Sequence, residues 1–142
     1  MKTRIKRFDK SLPLPEHKTT KAAAFDLYAR EAIEIQPSSI GYIPLNNAIE
    51  TPDGFFLLVA ARSSTHKKGL FLANGIGIVD PDFSGNEDEL KAAYFNFTAQ
   101  PVLVEKGERI AQGTFVKIEK ADWHETDELG NPTRGGFGTT GK

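Results

Sequence analysis

The chain has 142 residues, the length of about one domain, and its 39% hydrophobic and 26% charged residues are ordinary for a globular protein. A net charge of −1, from 18 basic and 19 acidic residues, lacks the basic excess of a general nucleic-acid binder, so no stable nucleic-acid binding is expected. No cysteine is present, which excludes disulfides and cysteine nucleophiles. Neither a signal peptide nor an apolar run of ~18 residues is found, so we expect a cytoplasmic protein without membrane contact.

Short apolar or alternating runs, separated by turn-forming residues, predict β-strands along most of the chain. The run 32–35 alternates at a period of two, and residues 55–60 form a continuous apolar run short enough for a buried strand. Helical periodicity is weak throughout. The predicted strands are residues 32–35, 42–45, 55–60, 75–79, 92–97, 101–104 and 110–118. This pattern favours an all-β sandwich, jelly roll or small barrel.

The first candidate for chemistry is Asp26, which lies in the apolar, small-residue run 22–29. A carboxylate is costly in such surroundings unless it is paired or hydrogen-bonded. Asp26 could pair with an arginine or help to hold a hydrated Mg²⁺ ion. A turn aspartate or a structural salt bridge fits the same residues.

The second candidate follows the predicted strand 55–60, where Arg62 precedes the hydroxyl residues Ser63 and Ser64. A guanidinium offers a two-pronged donor to a phosphate, and hydroxyls add directed donors. Taken alone, the segment also fits a solvated turn.

The third candidate is the segment 74–85, in which an apolar strand runs directly into Asp80. A carboxylate at a strand end, partly shielded by apolar neighbours, can take a proton from water. The alternative is that Asp80 and Asp82 only form the turn, as aspartate often does.

The last candidates are the segment 106–112, which ends in Gln112, and the glycine-rich tail 134–142. A glutamine in a strand can hydrogen-bond a ligand, and a hairpin with an ordinary strand fits as well. Glycine-rich backbone can wrap a phosphate, Arg134 adds charge, and Phe137 can stack on a base. Composition alone also fits a disordered tail.

In this order the five segments resemble the five motifs of the trimeric dUTP diphosphatases (dUTPases), from about Ala22 to Gly141. The resemblance implies an all-β fold, a dUTPase-like jelly roll or distorted β-barrel. It divides the single domain into a β-rich core, residues 1–118, and a flexible glycine-rich arm and lid, residues 119–142. It further implies hydrolysis of dUTP to dUMP and pyrophosphate by a homotrimer with shared active sites, which limits uracil incorporation into DNA.

The resemblance also assigns roles to residues. Asp80 matches the catalytic aspartate that activates the water attacking the α-phosphorus. Asn74 and the backbone around Gly77, Ile78 and Val79 match the hairpin that reads uracil, and Phe137 matches the aromatic residue that stacks on it. The phosphates are bound by Arg62, Ser63, Ser64, Gln112, Arg134, Gly138 and Thr139. Mg²⁺ is held chiefly by the triphosphate oxygens, with Asp26 acting indirectly through the metal's waters.

Three features depart from the family pattern. Phe83 stands where many members carry a tyrosine under the deoxyribose, and it keeps the ring that would clash with a 2′-hydroxyl. Residues 85–96, which include an acidic run at 87–89, resemble an insertion after the third motif found in a branch of bacterial and phage enzymes. Arg134 lies closer to Phe137 than in many members, which leaves its phosphate contacts open.

Two other functions remain as alternatives. A dCTP deaminase shares the fold but needs a glutamate at the cytosine amino group, for which Glu87 and Glu89 are the nearest candidates. A dUTPase-like nucleotide-binding regulatory module is the second alternative. A histidine-based metal hydrolase is not expected, because His17, His66 and His124 are far apart in the sequence.

Overall fold

The computed structural model describes residues 1–138, which form eleven β-strands and one short 3₁₀ helix, Thr65–Lys68. The strands are β1 (Ile5–Arg7), β2 (Phe25–Tyr28), β3 (Ile33–Ile35), β4 (Ile40–Pro44), β5 (Asn47–Ile49), β6 (Phe55–Ala61), β7 (Leu70–Leu72), β8 (Gly77–Val79), β9 (Lys91–Asn96), β10 (Val102–Val104) and β11 (Arg109–Lys117). The predicted all-β class is therefore confirmed. In the range 1–138, no helix has both the length and the apolar character needed to cross a membrane.

The strands form four antiparallel sheets. The largest has the order β2-β11-β6-β8, and a second has the order β4-β9-β7. Two small sheets pair β1 with β5 and β10 with β3. Because consecutive strands often belong to different sheets, the chain crosses repeatedly between layers and encloses one core.

The core lies between the inner faces of these sheets. Fully buried side chains come from the large sheet and from the sheet β4-β9-β7, among them Leu27, Ile43, Leu57, Tyr94 and Ile110. Strand β9 shows how one face of a sheet is buried in the core. Every second residue of β9 is buried, and the residues between them are exposed or half-buried, because successive side chains point to opposite faces.

The sequence pattern located most of the longer strands and missed several short ones. Residues 75–79 were predicted as a strand, but β8 begins only at Gly77 because Gly75 has a φ of +73° and forms a turn. Strands β1, β2, β5 and β7 were not predicted. In β2 and β5 every residue is buried, so no alternation marks them.

Candidate active site

Asp26 forms the centre of an ion-pair cluster on β2. Its Oδ1 accepts a hydrogen bond from Arg62 Nε at 3.0 Å, and its Oδ2 accepts one from Arg109 Nη1 at 3.1 Å. Asp26 is buried, whereas the side chains of Arg62 and Arg109 are 28% and 42% exposed. Two guanidiniums around one carboxylate leave a net positive charge directed toward solvent, which suits an anionic ligand.

The guanidinium of Arg62 is fixed on a second side. Its Nη1 donates to the backbone carbonyl of Arg109 at 3.2 Å, so the side chain is held by two acceptors at once. Gln112 lies opposite Asp26 on the neighbouring strand and donates from Nε2 to the carbonyl of Ala61 at 2.9 Å. Three predicted residues, Asp26, Arg62 and Gln112, are therefore brought together at one end of the large sheet.

Ser63 and Ser64 continue from Arg62 at the same end of β6. Both are exposed, and the 3₁₀ helix begins immediately after them. Both serines therefore follow Arg62 of the Asp26 cluster directly in the chain and are open to solvent. We call this group of residues the arginine end of the site, defined by Asp26, Arg62, Ser63, Ser64, Arg109 and Gln112.

The third predicted segment forms a turn followed by β8. Asn74 is exposed in this turn, where its carbonyl accepts from Ile76 N at 2.8 Å and Gly75 takes a positive φ. Gly77 packs closely on the neighbouring strand, since a Cβ there would lie 3.2 Å from Val59 Cβ. The backbone of β8 is thus held near β6, while the side chain of Ile78 is exposed.

Asp80 follows the last residue of β8 and begins a tight turn. Its carbonyl accepts a hydrogen bond from Phe83 N at 3.1 Å, and its side chain is exposed. Asp80 lines two clefts. One, of about 470 Å³, is also lined by Phe83 and by residues 87–91, and the other, of about 520 Å³, is also lined by Asp53 and Lys120. We call the first the Asp80 cleft.

One wall of the Asp80 cleft is formed by residues 87–91, which lie within the segment predicted as an insertion. Glu89 in this wall is buried, and its carboxylate accepts from Arg30 Nε at 2.7 Å and from Arg30 Nη2 at 3.0 Å. The backbone N–H of Asn46 donates to Glu89 Oε1 at 2.9 Å. The hydrogen bonds that Arg30 donates to this carboxylate raise the pKa of Arg30 further above its ordinary value.

The arginine end and the Asp80 cleft are far apart within one chain. In the antiparallel pairing of β6 and β8, Val79 lies opposite Leu57, so Asp80 continues toward the start of β6. Arg62 follows the opposite end of β6. Along β6, six residues separate the level of Asp80 from Arg62, which corresponds to about 20 Å at the rise per residue of a β-strand. One chain therefore does not bring Asp80 to Arg62.

The tail beyond β11 has no regular secondary structure from residue 119 to residue 138. Phe137 is fully exposed, with a φ of +52°, and Arg134 and Gly138 are exposed as well. Within residues 119–138, the side-chain hydrogen bonds join tail residues only to one another. Thr139 lies outside the described residues.

The donor set of the described chain does not form a cage for a resident metal ion. Among residues 1–138, no group of three or more carboxylates or histidines is arranged to bind a metal. Both oxygens of Asp26 already accept hydrogen bonds from guanidiniums. Such a set is compatible with a Mg²⁺ ion that is bound chiefly through the oxygens of a ligand and keeps several waters.

The sequence reasoning missed two features of the site. Arg109 was not selected, although it lies within the segment 106–112 and precedes Gln112 on the same strand. The Arg30–Glu89 pair was also missed, because the two residues are far apart in the chain and no local pattern joins them. The acidic run at 87–89 was the only feature of the sequence that drew attention to Glu89.

Comparison with known proteins gives a consistent result. A family model described as dUTPase matches residues 10–141. A deoxyuridine 5′-triphosphate nucleotidohydrolase from Desulfitobacterium hafniense is 40% identical over 141 residues, covering 95% of this chain and 91% of the relative. The crystal structure of the dUTPase from Streptococcus mutans superimposes with a TM-score of 0.76 and 32% identity, covering 84% of this chain and 98% of the other.

A phage enzyme extends the structural likeness. A mutant dUTPase from phage phi11 of S. aureus, whose structure details the coordination of a structural Mg(II) ion, has a TM-score of 0.81. It is 18% identical and covers 91% of this chain and 99% of its own, so it shows likeness in fold alone.

Proposed function

Because the chain belongs to the dUTPase family and has its jelly-roll fold, we propose that it hydrolyses dUTP to dUMP and pyrophosphate, which limits uracil incorporation into DNA. The observation that carries the proposal is the position of Asp80, which leaves β8 at the edge of a cleft large enough for a nucleoside. The turn that precedes β8 supplies backbone groups beside the same strand.

In the proposed reaction, Asp80 accepts a proton from a water molecule as the water oxygen bonds to the α-phosphorus. The bond between the α-phosphorus and the oxygen that bridges to the β-phosphorus breaks. The electron pair leaves with that oxygen, which gives pyrophosphate and dUMP. The exposed carboxylate of Asp80 is open to a water from either of its two clefts.

Uracil recognition is assigned to Asn74 and to the backbone of Gly77, Ile78 and Val79. Uracil presents an acceptor, a donor and an acceptor along one edge, which backbone groups can match. The amino group of cytosine would leave buried donors unpaired. The close packing of Gly77 on Val59 supports this role, because it leaves the β8 backbone little room to move.

Triphosphate binding is assigned to the arginine end of the site. Arg62, held by Asp26 and by the carbonyl of Arg109, presents a fixed guanidinium, and Ser63 and Ser64 follow it directly in the chain. Gln112 supports the same region. Mg²⁺ enters as part of a Mg·dUTP substrate and neutralises phosphate charge, and Asp26 contacts it only through water.

A homotrimer with shared sites would join the two halves. In-line attack needs the base and the phosphate-binding groups at the same phosphate chain, with reacting atoms about 3 Å apart. The separation of about 20 Å within one chain is therefore bridged when Asp80 of one copy meets Arg62 of another.

The outer face of the sheet β4-β9-β7 also supports assembly. Ile40, Tyr42, Phe71 and Phe97 are each about half exposed or more, and the ring centroids of Phe71 and Phe95 are 5.2 Å apart. The inner face of the same sheet is apolar and buried in the core. A sheet that is apolar on both faces is typical of a surface covered by another subunit.

The tail is proposed as a lid that closes over bound substrate. Phe137 would stack on uracil, and Arg134, Gly138 and Thr139 would contact the phosphates. The full exposure of Phe137 supports this role, because a large aromatic with no packing of its own is available for a ligand. We further propose that the chain belongs to the bacterial and phage branch that carries an insertion after the third motif.

The proposal is tested by supplying Mg²⁺ with dUTP or dCTP and measuring pyrophosphate and ammonia. We expect pyrophosphate from dUTP and no ammonia from dCTP. The burial of Glu89 against Arg30 removes it from deaminase chemistry. Ammonia from dCTP would overturn the proposal, and binding of dUTP without turnover would favour a regulatory module.

A further inference from the structure

The Asp80 cleft has one wall without regular secondary structure. Residues 85–90 contain no strand, yet residues 87–90 line the cleft together with Asp80 and Phe83. The shape of a cleft of about 470 Å³ depends on where this wall is held. A loop is free to take several positions unless specific contacts select one.

Glu89 supplies the principal contact that holds the wall. Its carboxylate accepts two hydrogen bonds from Arg30 and a third from Asn46 N, and its side chain is 7% exposed. Leu90 adds two backbone hydrogen bonds, one to the carbonyl of Asn47 and one from Leu45 N. The wall is therefore fastened to the segment that joins β4 to β5.

The receiving segment is itself rigid. Asn46 is fully buried and has a φ of +67°, a conformation that few side chains tolerate. Its amide group is held on both sides by the backbone of Asp9, at 2.7 and 3.0 Å. The carboxylate of Glu89 thus meets a donor whose position is fixed.

A buried ion pair adds little net stability, because the cost of desolvation offsets most of the attraction. Such a pair has a greater effect on which of several conformations a loop adopts than on overall stability. The Glu89–Arg30 pair joins the cleft wall to the segment that follows β2, so the conformation that it selects is the position of the wall.

We propose that Glu89, through Arg30, is a positioning residue that sets the width of the Asp80 cleft and thereby the selection of deoxyribose over ribose. The inference rests on the proposed hydrolysis of dUTP. Phe83 lines the same cleft, and its ring excludes a 2′-hydroxyl only while the sugar is pressed against it. The wall held by Glu89 provides the opposing surface. When the wall is released, the sugar can move away from the ring and ribose is accepted.

The test compares kcat/KM for dUTP and UTP in the wild type, Glu89→Gln and Arg30→Lys. The glutamine replaces an acceptor with a donor, and the lysine cannot donate two parallel hydrogen bonds. Each variant should lower the dUTP-to-UTP selectivity about ten-fold, which is within the range of steric discrimination against one small group. The double variant should lose no more than either single variant, because both break the same pair.

Glu50→Gln is the matched control. Glu50 accepts hydrogen bonds from Nε and Nη2 of Arg4, as Glu89 does from Arg30, but this pair is exposed and Glu50 does not line the Asp80 cleft. It should leave the selectivity unchanged. A merely structural role for Glu89 would lower the melting temperature of the variants and leave the selectivity of the folded enzyme at the wild-type value.

Wild-type selectivity for dUTP over UTP in either folded variant would overturn the inference. Arg30→Lys is the milder change and keeps the charge, so it remains informative if Glu89→Gln does not fold. A wild-type chain that releases no pyrophosphate from dUTP would instead overturn the proposed function, and this inference with it.

Discussion

Mixed oligomers offer a quantitative test of how the two halves of the site are combined. Asp80 and Arg62 lie at opposite ends of β6, about 20 Å apart along the strand. Asp80→Asn removes one half of the site and Arg62→Gln removes the other, so each variant alone should be nearly inactive. Co-expression of the two with different affinity tags should yield mixed oligomers if the proposed trimer forms.

The expected recovery follows from the geometry. If a site takes Asp80 from one copy and Arg62 from another, each position is intact with a probability of one half in an equal mixture. About one quarter of the sites are then complete, so the mixture should recover ~25% of wild-type turnover. Pyrophosphate release by the unfractionated mixture measures this fraction, whereas mixed trimers purified by both tags exclude the inactive homotrimers and should recover about one third of wild-type turnover.

A second mixture provides the control. Arg62 and Gln112 lie in the same half of the site, joined through the carbonyl of Ala61 at 2.9 Å from Gln112 Nε2. A mixture of Arg62→Gln with Gln112→Ala contains no chain with an intact arginine end, so its turnover should not exceed the average of the two variants. Failure of the Asp80→Asn and Arg62→Gln mixture to recover activity would refute the reasoning, because it would mean that one chain supplies both halves.

Three further predictions concern the core, the acid range and the tail. Tyr94→Phe removes the buried hydroxyl that donates to a β11 carbonyl at 2.6 Å, so the free energy of unfolding in urea should fall by about 1–3 kcal/mol, whereas exposed Tyr42→Phe should change little. Hydrogen bonds from Lys106 and Ser11 lower the pKa of Asp9, so the stability that they confer is complete above about pH 4 and is lost as pH falls below it. The melting temperatures of the wild type and Lys106→Met should therefore differ at pH 7 and converge in acid; a constant difference would contradict this. Deletion of residues 134–142 should reduce turnover far more than it reduces the melting temperature, and equal losses would mean that the tail is structural.

The sequence was sufficient to predict the all-β class and the longer strands, because their apolar residues alternate or form continuous runs. Short strands escaped prediction where that signal is absent. In β5 the first residue is Asn47, a buried polar residue, and in β2 the buried Asp26 breaks an apolar run. Burial of such residues depends on partners elsewhere in the chain, which a local pattern does not contain.

The candidate site shows the same limit. The segments that contain Asp26, Arg62 and Gln112 were selected from residue type, and the structure brings the three residues together within the large sheet. The sequence left open whether Asp26 pairs with an arginine, and only the pairing of β2 with β11 brings Arg109 to it. The separation of Asp80 from Arg62 likewise follows from the register of β6 and β8, which no local spacing predicts.

The most direct test of the central claim compares wild type with Asp80→Asn. Asparagine keeps the shape of the side chain but does not accept the proton from the attacking water. The account predicts that release of pyrophosphate from Mg·dUTP falls by several orders of magnitude, while a non-hydrolysable dUTP analogue binds with near wild-type affinity. Wild-type turnover by Asp80→Asn would show that another group activates the water, and would contradict the account.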